Sequence, residues 1–268
     1  MKFQNKVAII TGSSQGIGKA TAVELSKLGA KIVLNGRNAE RLDKAVADLK
    51  AAGADVIGVV GDVADVNQAQ NLIDKTIEKF GRLDILVNNA GISMRGDFAE
   101  LKPEVFSQVF NTNVIGVTNL TIPAMKHLKA NKGSLVFISS LAGIRGLPGL
   151  SAYCSSKMAL RAIAESIRIE EVDSGMHVGL IQVGITEIEF AKQTVGPDGE
   201  LITISDRSKF KVMPMQSVAN AVVKNIKKRK FVTTLTGIGK LNSIMQSVMP
   251  SVVEKVLIRS IDKIKKRS

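Results

Sequence analysis

The strongest constraint on how this chain folds is a repeat: a short apolar run, a helical pattern, then a glycine. The runs are Val7–Ile10, Lys31–Leu34, Val56–Val60, Ile85–Val87, Leu135–Ile138, Val178–Ile181 and Phe231–Leu235. They are rich in Val, Ile and Leu and mostly do not alternate with polar residues. That is the mark of strands covered on both faces, as in a parallel sheet. Amphipathic segments of helical length lie between them. Gly29, Gly53, Gly81, Gly133 and Gly175 stand just before the next run. Each is predicted to close a helix in the left-handed conformation that glycine tolerates. Repeated β-α units connect through right-handed crossovers. The expected fold is therefore α/β, a doubly wound parallel sheet with helices on both faces.

At 268 residues, 45% of them hydrophobic, the chain has the apolar content to fold, which excludes a disordered protein. The length suits one large domain. Cys154 is the only cysteine, so a disulfide scaffold is excluded and a reducing compartment is compatible. No apolar run approaches the roughly 18 residues of a spanning helix. The start, Met-Lys-Phe-Gln-Asn-Lys, runs straight into a short apolar stretch without a signal-peptide core. The expectation is a cytoplasmic protein, at most attached to a membrane surface. No composition break precedes about residue 237, which predicts one domain over 1–238 and a basic amphipathic helical tail over 239–268.

Ligands of such a sheet bind beyond the carboxyl ends of its strands, and polar clusters fall there. They are Thr11-Gly12-Ser13-Ser14, Asn35-Gly36-Arg37, Gly61-Asp62, Asn88-Asn89-Ala90-Gly91, Ser139-Ser140 and Gln182-Val183-Gly184. Turn chemistry explains the glycines well and the Asn-Asn and Ser-Ser pairs less well. After Val7–Ile10 comes Thr11-Gly12-Ser13-Ser14-Gln15-Gly16-Ile17-Gly18, which reads as strand, glycine loop, helix start. The first glycine permits a tight turn, and the later ones let backbone N–H groups and the helix N-terminus approach a pyrophosphate. The spacing is G-x3-G-x-G rather than G-x-G-x-x-G.

Thr11–Gly18 resembles the T-G-x3-G-x-G motif of the short-chain dehydrogenase/reductases (SDR). Asn88-Asn89-Ala90-Gly91 resembles their N-N-A-G motif. Asn113, Ser140 and Tyr153-Cys154-Ser155-Ser156-Lys157 resemble their catalytic Asn, Ser and Y-x-x-x-K. All arrive in family order over roughly residues 5–190. The resemblance implies a Rossmann-type sheet of about seven strands and a nicotinamide cofactor held by Gly12, Ser14, Gln15, Gly16, Ile17 and Gly18. It places Asp62 and Val63 near the adenine and Asn89, Ala90 and Gly91 under the nicotinamide ribose. Gly184, Ile185 and Thr186 fall beside the nicotinamide amide, where the usual Pro-Gly reads Val183-Gly184, with the glycine kept and the proline lost. It also implies a homodimer or homotetramer. For Asp62, a helix N-terminal acid before Ala64–Phe80 is the competing reading.

The second strand selects the nucleotide. A carboxylate at its end would bond the ribose 2′-hydroxyl of NAD(H) and repel a 2′-phosphate. Here the segment is Asn35-Gly36-Arg37-Asn38. Arg37 offers a permanently charged fork suited to phosphate, which predicts NADP(H) over NAD(H). A solvent-facing arginine is the bland alternative. Gln15 departs from the Lys or Arg that many NADP(H)-preferring relatives carry near that position.

Tyr153 is the only tyrosine, in a helical segment expected to begin near Ala152, and Lys157 follows one turn later on the same face. A free phenol has a pKa of about 10 and is a poor acid–base catalyst at neutral pH. A neighbouring ammonium favours its ionised form, which suits proton transfer. By resemblance, Lys157 also bonds the nicotinamide ribose, and both Tyr153 and Lys157 count among the cofactor contacts. Ser140 would hold the substrate oxygen beside the phenol, while Ser139 takes a backbone or core-facing role. Asn113 would sit in a distorted helix and link through water to Lys157. Its competing reading is a buried, satisfied Asn. His127 and His177 lack a Cys/His cluster around them, so no metal site is expected. Cys154 reads as a small buried residue.

Glu187–Met213 is expected to form the substrate loop, with a turn at Gly196-Pro197-Asp198-Gly199. Beyond it, residues 224–268 hold 12 Lys/Arg against 2 Asp/Glu, so this segment carries +10 of the net +13. Leu241, Ile244, Met245, Val248 and Met249 follow helical spacing, and Val252, Val253, Val256, Leu257, Ile261 and Ile264 continue it past Pro250. Pro250 is expected to split the tail into two helices. Lys255, Arg259, Lys263, Lys265, Lys266 and Arg267 make the other face basic. Two readings stand: an interfacial membrane helix, or a stripe packed on the enzyme or across a dimer. The activity implied is NADPH-dependent reduction of a ketone or aldehyde, with a lipophilic substrate. The rivals are a 3-ketoacyl-carrier-protein reductase and a non-catalytic NADP(H)-binding or membrane-surface module. A nucleic-acid binder ranks last, because no reading motif accompanies the charge.

Overall fold

Seven strands make one parallel sheet: β1 (Val7–Ile10), β2 (Lys31–Gly36), β3 (Val56–Val60), β4 (Ile85–Asn88), β5 (Ser134–Ser140), β6 (His177–Val183) and β9 (Val232–Thr234). Their spatial order is β3-β2-β1-β4-β5-β6-β9. The computed structural model describes residues 3–187, 192–204 and 212–261. Between the strands run α1 (Gly16–Ser26), α2 (Ala39–Ala51), α3 (Val66–Phe80), α4 (Pro103–Phe110), α5 (Gly116–Ala130), α6 (Ser151–Glu170) and α7 (Met215–Lys228). Two further helices, α8 (Gly237–Val248) and α9 (Pro250–Arg259), follow β9 and are divided at Pro250 as expected.

The sheet divides the core into two layers. Ala8 and Ile10 point into one, with Leu25 of α1, Leu42 of α2 and Val222 of α7. Val7 and Ile9 point into the other, with Leu72 of α3, Leu120 of α5 and Leu160 of α6. Alternate residues of one strand thus enter two apolar layers, which is why the strands read as continuous apolar runs. From β1 the chain winds outward to β3, then returns to β4 and winds the other way. The reversal leaves a crevice above the carboxyl ends of β1 and β4, where loops part to opposite sides.

Gly29, Gly53, Gly81 and Gly175 take positive φ, as the helix-ending role requires. Gly133 does not. Lys132 takes the left-handed turn instead, at φ 47°, and Gly133 is small for another reason: a Cβ there would collide with the Asp84 carbonyl oxygen. The Glu187–Met213 segment also differs from a plain loop. β7 (Lys192–Val195) and β8 (Leu201–Ile204) pair antiparallel across the Gly196–Glu200 turn. Gly199 supplies the positive φ, 98°. Residues 188–191 and 205–211 of that segment lie outside the described residues.

Candidate active site

The glycine turn lies at the crevice between β1 and β4. Gly12 has φ 59°, and a Cβ on it would stand 2.9 Å from Ala90 Cα. Gly18 lies beneath, where a Cβ would come within 2.6 Å of the Gly12 carbonyl oxygen. Both glycines therefore serve close approach of two loops. Gly16 differs: its φ is 62°, and a side chain there would enter open space. Gly16 begins α1, whose first turn carries no acidic residue and whose preceding Gln15 makes no capping side-chain bond. A helix N-terminus facing open space with no acid in its first turn attracts an anion.

A second layer of polar side chains holds this turn in place. Thr11 Oγ1 accepts from the amides of Asn89 and Ala90, both at 2.9 Å. Asn89 Nδ2 donates to the carbonyls of Thr11 and Gly12 at 2.8 and 3.1 Å. Asn35, buried on β2, donates to the carbonyls of Val59 and Gly61 at 3.1 Å each. Asn89 therefore ties its own loop to the glycine turn across the crevice, whereas Asn88 bonds inward to Thr121 Oγ1 at 2.9 Å.

A cleft of about 370 Å³ gathers Gly12, Ser14, Gln15, Arg37, Asp62, Val63, Asn89, Ala90 and Gly91 along its walls. Gly16, Ile17 and Gly18 lie at the helix start beside and beneath it. Arg37 is 64% exposed and its Nη1 stands 3.4 Å from Asp62 Oδ2. Asp62 does not cap a helix. Its Oδ1 accepts from the Ala64 amide at 2.9 Å, whereas α3 begins at Val66 and is capped by Asp65, which accepts from the Asn67 and Gln68 amides. Sequence reasoning missed Arg41. It lies in the first turn of α2, lines the same cleft, and its Nη1 stands 3.3 Å from Gln15 Oε1. The available signal was a second arginine in the first helical turn after the Asn35-Gly36-Arg37-Asn38 segment, close to the end of the second strand.

Further along the crevice, α6 begins at Ser151 and carries Tyr153 and Lys157 one turn apart. Lys157 is 5% exposed. Its ammonium donates to the Ile138 carbonyl at 3.0 Å and lies 5.8 Å from the centre of the Tyr153 ring. Gly91 faces it across the gap, where a Cβ would lie 3.3 Å from Lys157 Nζ and 3.0 Å from Asn113 Oδ1. Asn113 is fully buried in a π-helical turn, Asn111–Ile115, between α4 and α5. It accepts from the Ile92 amide at 2.8 Å and donates to the Ile92 carbonyl and Ser156 Oγ at 2.9 and 3.0 Å. The widened turn is the distortion expected there. Ser156 was not foreseen. Its hydroxyl receives the Asn113 amide and donates to the Tyr153 carbonyl at 2.8 Å, linking the π turn to α6.

Ser140 ends β5, and its Oγ accepts from the Ala142 amide at 3.1 Å. Ser139 is buried and donates to the Lys157 carbonyl at 3.1 Å. Gly143 closes against the same carbonyl, where a Cβ would come within 2.8 Å. Gly184, Ile185 and Thr186 follow β6, outside the cleft that Gly12 and Arg37 line. Thr186 is buried, and its hydroxyl donates to the Gly184 carbonyl at 3.3 Å. The β7–β8 hairpin packs beside Tyr153: Met94, Ala152 and Val195 form a small apolar cluster against its ring, and Ser93 Oγ lies 2.8 Å from Thr194 Oγ1.

Among the described residues no group of three or more His, Cys, Asp or Glu side chains is placed to hold a metal ion. His177 is buried between Ser134 Oγ and the Lys230 carbonyl, at 3.2 and 2.9 Å. The carbonyl can only accept, so Nε2 carries the proton and Nδ1 accepts from Ser134. Burial holds its pKa below the ordinary histidine value. Cys154 is buried, and burial pushes its thiol up.

A doubly wound sheet with a glycine turn at its switch point, and a buried lysine beside a tyrosine at the same edge, defines a dinucleotide-binding α/β protein. Residues 6–198 match the family model of the short chain dehydrogenases. An uncharacterized oxidoreductase of Thermotoga maritima is 37% identical over 203 residues, covering 75% of this chain and 80% of its own. A 3-oxoacyl-[acyl-carrier-protein] reductase of the same organism is 34% identical over 190 residues, 70% of this chain and 76% of its own. The structure of an alcohol dehydrogenase from the archaeon Thermococcus sibiricus, complexed with 5-hydroxy-NADP, superposes with a TM-score of 0.75 at 26% identity. It covers 86% of this chain and 95% of that one. The chain belongs to the short chain dehydrogenase family, oxidoreductases that use NAD(H) or NADP(H), act on small molecules and are commonly oligomeric.

Proposed function

We propose that this chain is an NADPH-dependent reductase that converts a ketone or aldehyde to an alcohol, reversibly, with a lipophilic substrate. The observation that carries the reading is the placement of Lys157: buried, tied to the Ile138 carbonyl and set against the Tyr153 ring, at the edge where the glycine turn opens. The cleft suits the cofactor. Gly16 leaves open space at the N-terminus of α1 for a pyrophosphate, and the Arg37 and Arg41 guanidinium groups line the wall where a 2′-phosphate would need cations. Gly12, Ser14, Gln15, Ile17, Gly18, Asp62, Val63, Asn89, Ala90 and Gly91 complete that side, with Gly184, Ile185 and Thr186 at the other end.

When bound, the nicotinamide supplies the hydride that reduces the carbonyl carbon. Tyr153 Oη gives a proton to the carbonyl oxygen as negative charge develops on it, and Ser140 Oγ donates a hydrogen bond to the same atom. Lys157 presents a positive charge beside the phenol, which favours the form left after proton loss. Asn113 and Ser156 hold the π turn to α6 and so fix where Tyr153 stands. In this reading the body, 1–238, carries the chemistry and the tail, 239–268, lies outside it. The apolar cluster around Tyr153 and the apolar surface of the tail support a lipophilic substrate.

The test is NADPH absorbance with ketones of increasing chain length, alongside a 3-ketoacyl thioester. Turnover that rises with chain length is expected. A clear preference for the thioester would favour the acyl-carrier reading, which the 34% identical relative supports. Absence of NADPH oxidation with every carbonyl offered would leave the non-catalytic module as the better reading.

A further inference from the structure

α8 and α9 are built unlike the other helices. Each of α1 to α7 places residues in an apolar layer, whereas α8 and α9 contribute none to any of the three buried apolar clusters. Their main packing is with each other. α8 turns Ile238, Leu241, Ile244 and Val248 to solvent, at 82%, 60%, 60% and 71% exposure. Their spacing of three and four residues makes one stripe. α9 adds exposed Val252, Val256 and Ile258. Large apolar surface left in water on two consecutive helices implies a partner.

The charge beside that surface identifies the partner. Lys240, Lys255 and Arg259 are exposed on the same two helices, against Glu254 alone. The sequence that follows adds Lys263, Lys265, Lys266 and Arg267 against Asp262 alone. The occupant must offer apolar depth and negative charge together. A second copy of the chain would bring another net-positive segment to the contact, seven Lys/Arg against Glu254 and Asp262 over 237–268, and like charges oppose that pairing. An anionic lipid surface supplies both requirements: acyl chains for the stripe and headgroups for the lysines. No helix of the described residues is long and apolar enough to cross a membrane, so contact would be at the surface.

The hairpin is also seated on the substrate side of the site. A Cβ on Gly239 would lie 2.7 Å from Leu141 Cδ2, so α8 starts hard against the residue that follows Ser140. Arg145 Nη1 donates to Gln246 Oε1 at 3.1 Å, fixing the last turn of α8 to the same loop. We propose that the α8–α9 hairpin is an interfacial anchor for an anionic bilayer and sets the Ser140 side of the crevice against it. The docking does not depend on turnover.

The experiment is co-sedimentation of the full-length protein with vesicles of phosphatidylglycerol and phosphatidylcholine, and with phosphatidylcholine alone. Binding to the anionic vesicles, weakened by added salt, is expected. Leu241→Glu with Ile244→Glu removes two exposed apolar contacts and should lower the partition coefficient on the order of 100-fold. Lys255→Glu with Arg259→Glu should weaken binding to anionic vesicles and leave the weak neutral-vesicle binding unchanged. Thermal midpoint and native mass by light scattering accompany each variant. No sedimentation of the wild type with anionic vesicles would overturn the proposal, as would undiminished, wild-type binding by both double variants. A loss of native mass in Leu241→Glu/Ile244→Glu with vesicle binding unchanged would overturn it too, and would assign the stripe to a second copy.

Discussion

At the amino ends of the strands, a buried carboxylate gathers charges; at the carboxyl ends, buried polar groups gather backbone. Asp84 accepts from Lys6 Nζ at 2.9 Å, from Arg82 Nε and Nη2 at 2.7 and 2.6 Å, and from the Val7 amide at 3.0 Å. Its oxygens are fully used. At the opposite edge, Thr11, Asn89, Asn113, Ser139 and Lys157 each bond a main-chain group of another segment. The first arrangement closes an end of the sheet. The second fixes loop positions around a space without filling it. A fold of this kind can therefore carry its chemistry at one edge and its electrostatic closure at the other.

The sharpest way to break that contrast is Tyr153→Phe. Removing the proton donor should lower kcat by about 10²- to 10⁴-fold, with NADPH affinity and the thermal midpoint nearly unchanged. Single-turnover kinetics and fluorescence titration of NADPH check this. Normal turnover would end the proposed mechanism.

Next in size is Arg37→Ala. A charge-assisted hydrogen bond contributes roughly 1.5–3 kcal/mol, so NADPH should bind about 10- to 150-fold more weakly. NADH should be little affected. Arg41→Ala should act in the same direction and less. Calorimetric titration of both nucleotides measures the effect, and equal losses for NADH and NADPH would remove the 2′-phosphate role.

At the other edge, Asp84→Asn should cost about 1.5–3 kcal/mol of stability, because the charge is lost and one of the two acceptor oxygens becomes a donor. Lys6 and Arg82 are partly exposed and can turn to water, which keeps the loss from growing larger. Urea midpoints report it, and kcat at neutral pH should not move. A large fall in kcat would mean that the two edges are coupled.

The same carboxylate has a pH signature. Burial works against its charge, yet the hydrogen bonds from Arg82, the Val7 amide and Lys6 outweigh that and hold its pKa below the ordinary value. A depressed carboxyl contributes stability that is present above the unfolded pKa of about 3.9 and lost as pH falls through the folded one. His177 gives the smallest effect in a separate window. Its folded pKa is depressed by burial, so it opposes folding as pH drops below the unfolded value of about 6.5 toward the folded one. Urea titrations from neutral pH downward should show a first loss, below about pH 6.5, that His177→Gln flattens. A second loss in strong acid should be missing in Asp84→Asn. An unchanged profile in His177→Gln would mean that this histidine takes up its proton alike in the folded and unfolded states.

Much of this architecture is legible in the residues. The apolar runs mark the seven sheet strands because both faces are covered, so each run lacks the alternation that would blur its boundaries. The glycine turn and the Tyr153–Lys157 pair stand out by spacing, whereas Asn113 is marked by the family resemblance. The β7–β8 hairpin has a local signal as well: Gly196-Pro197-Asp198-Gly199 lies between Lys-Gln-Thr-Val and Leu-Ile-Thr-Ile, two short β-prone runs. Gly133 shows the opposite limit. It looks like its fellows in sequence, but its smallness answers to the Asp84 carbonyl across the sheet and not to its own φ.

What the sequence alone determined is local: where strands and helices lie, which turns need glycine, and which side chains are one helical turn apart. What only the tertiary structure decided is every pairing between distant segments. Lys157 meets the Ile138 carbonyl, Asn113 meets Ile92 and Ser156, Arg41 meets Gln15, and α8 comes to rest beside Ser140. Periodicity and turn chemistry act over a few residues, whereas these contacts arise when the sheet order and two apolar layers bring remote loops to one edge. That order is set by packing of the whole chain, and no short window of residues contains it.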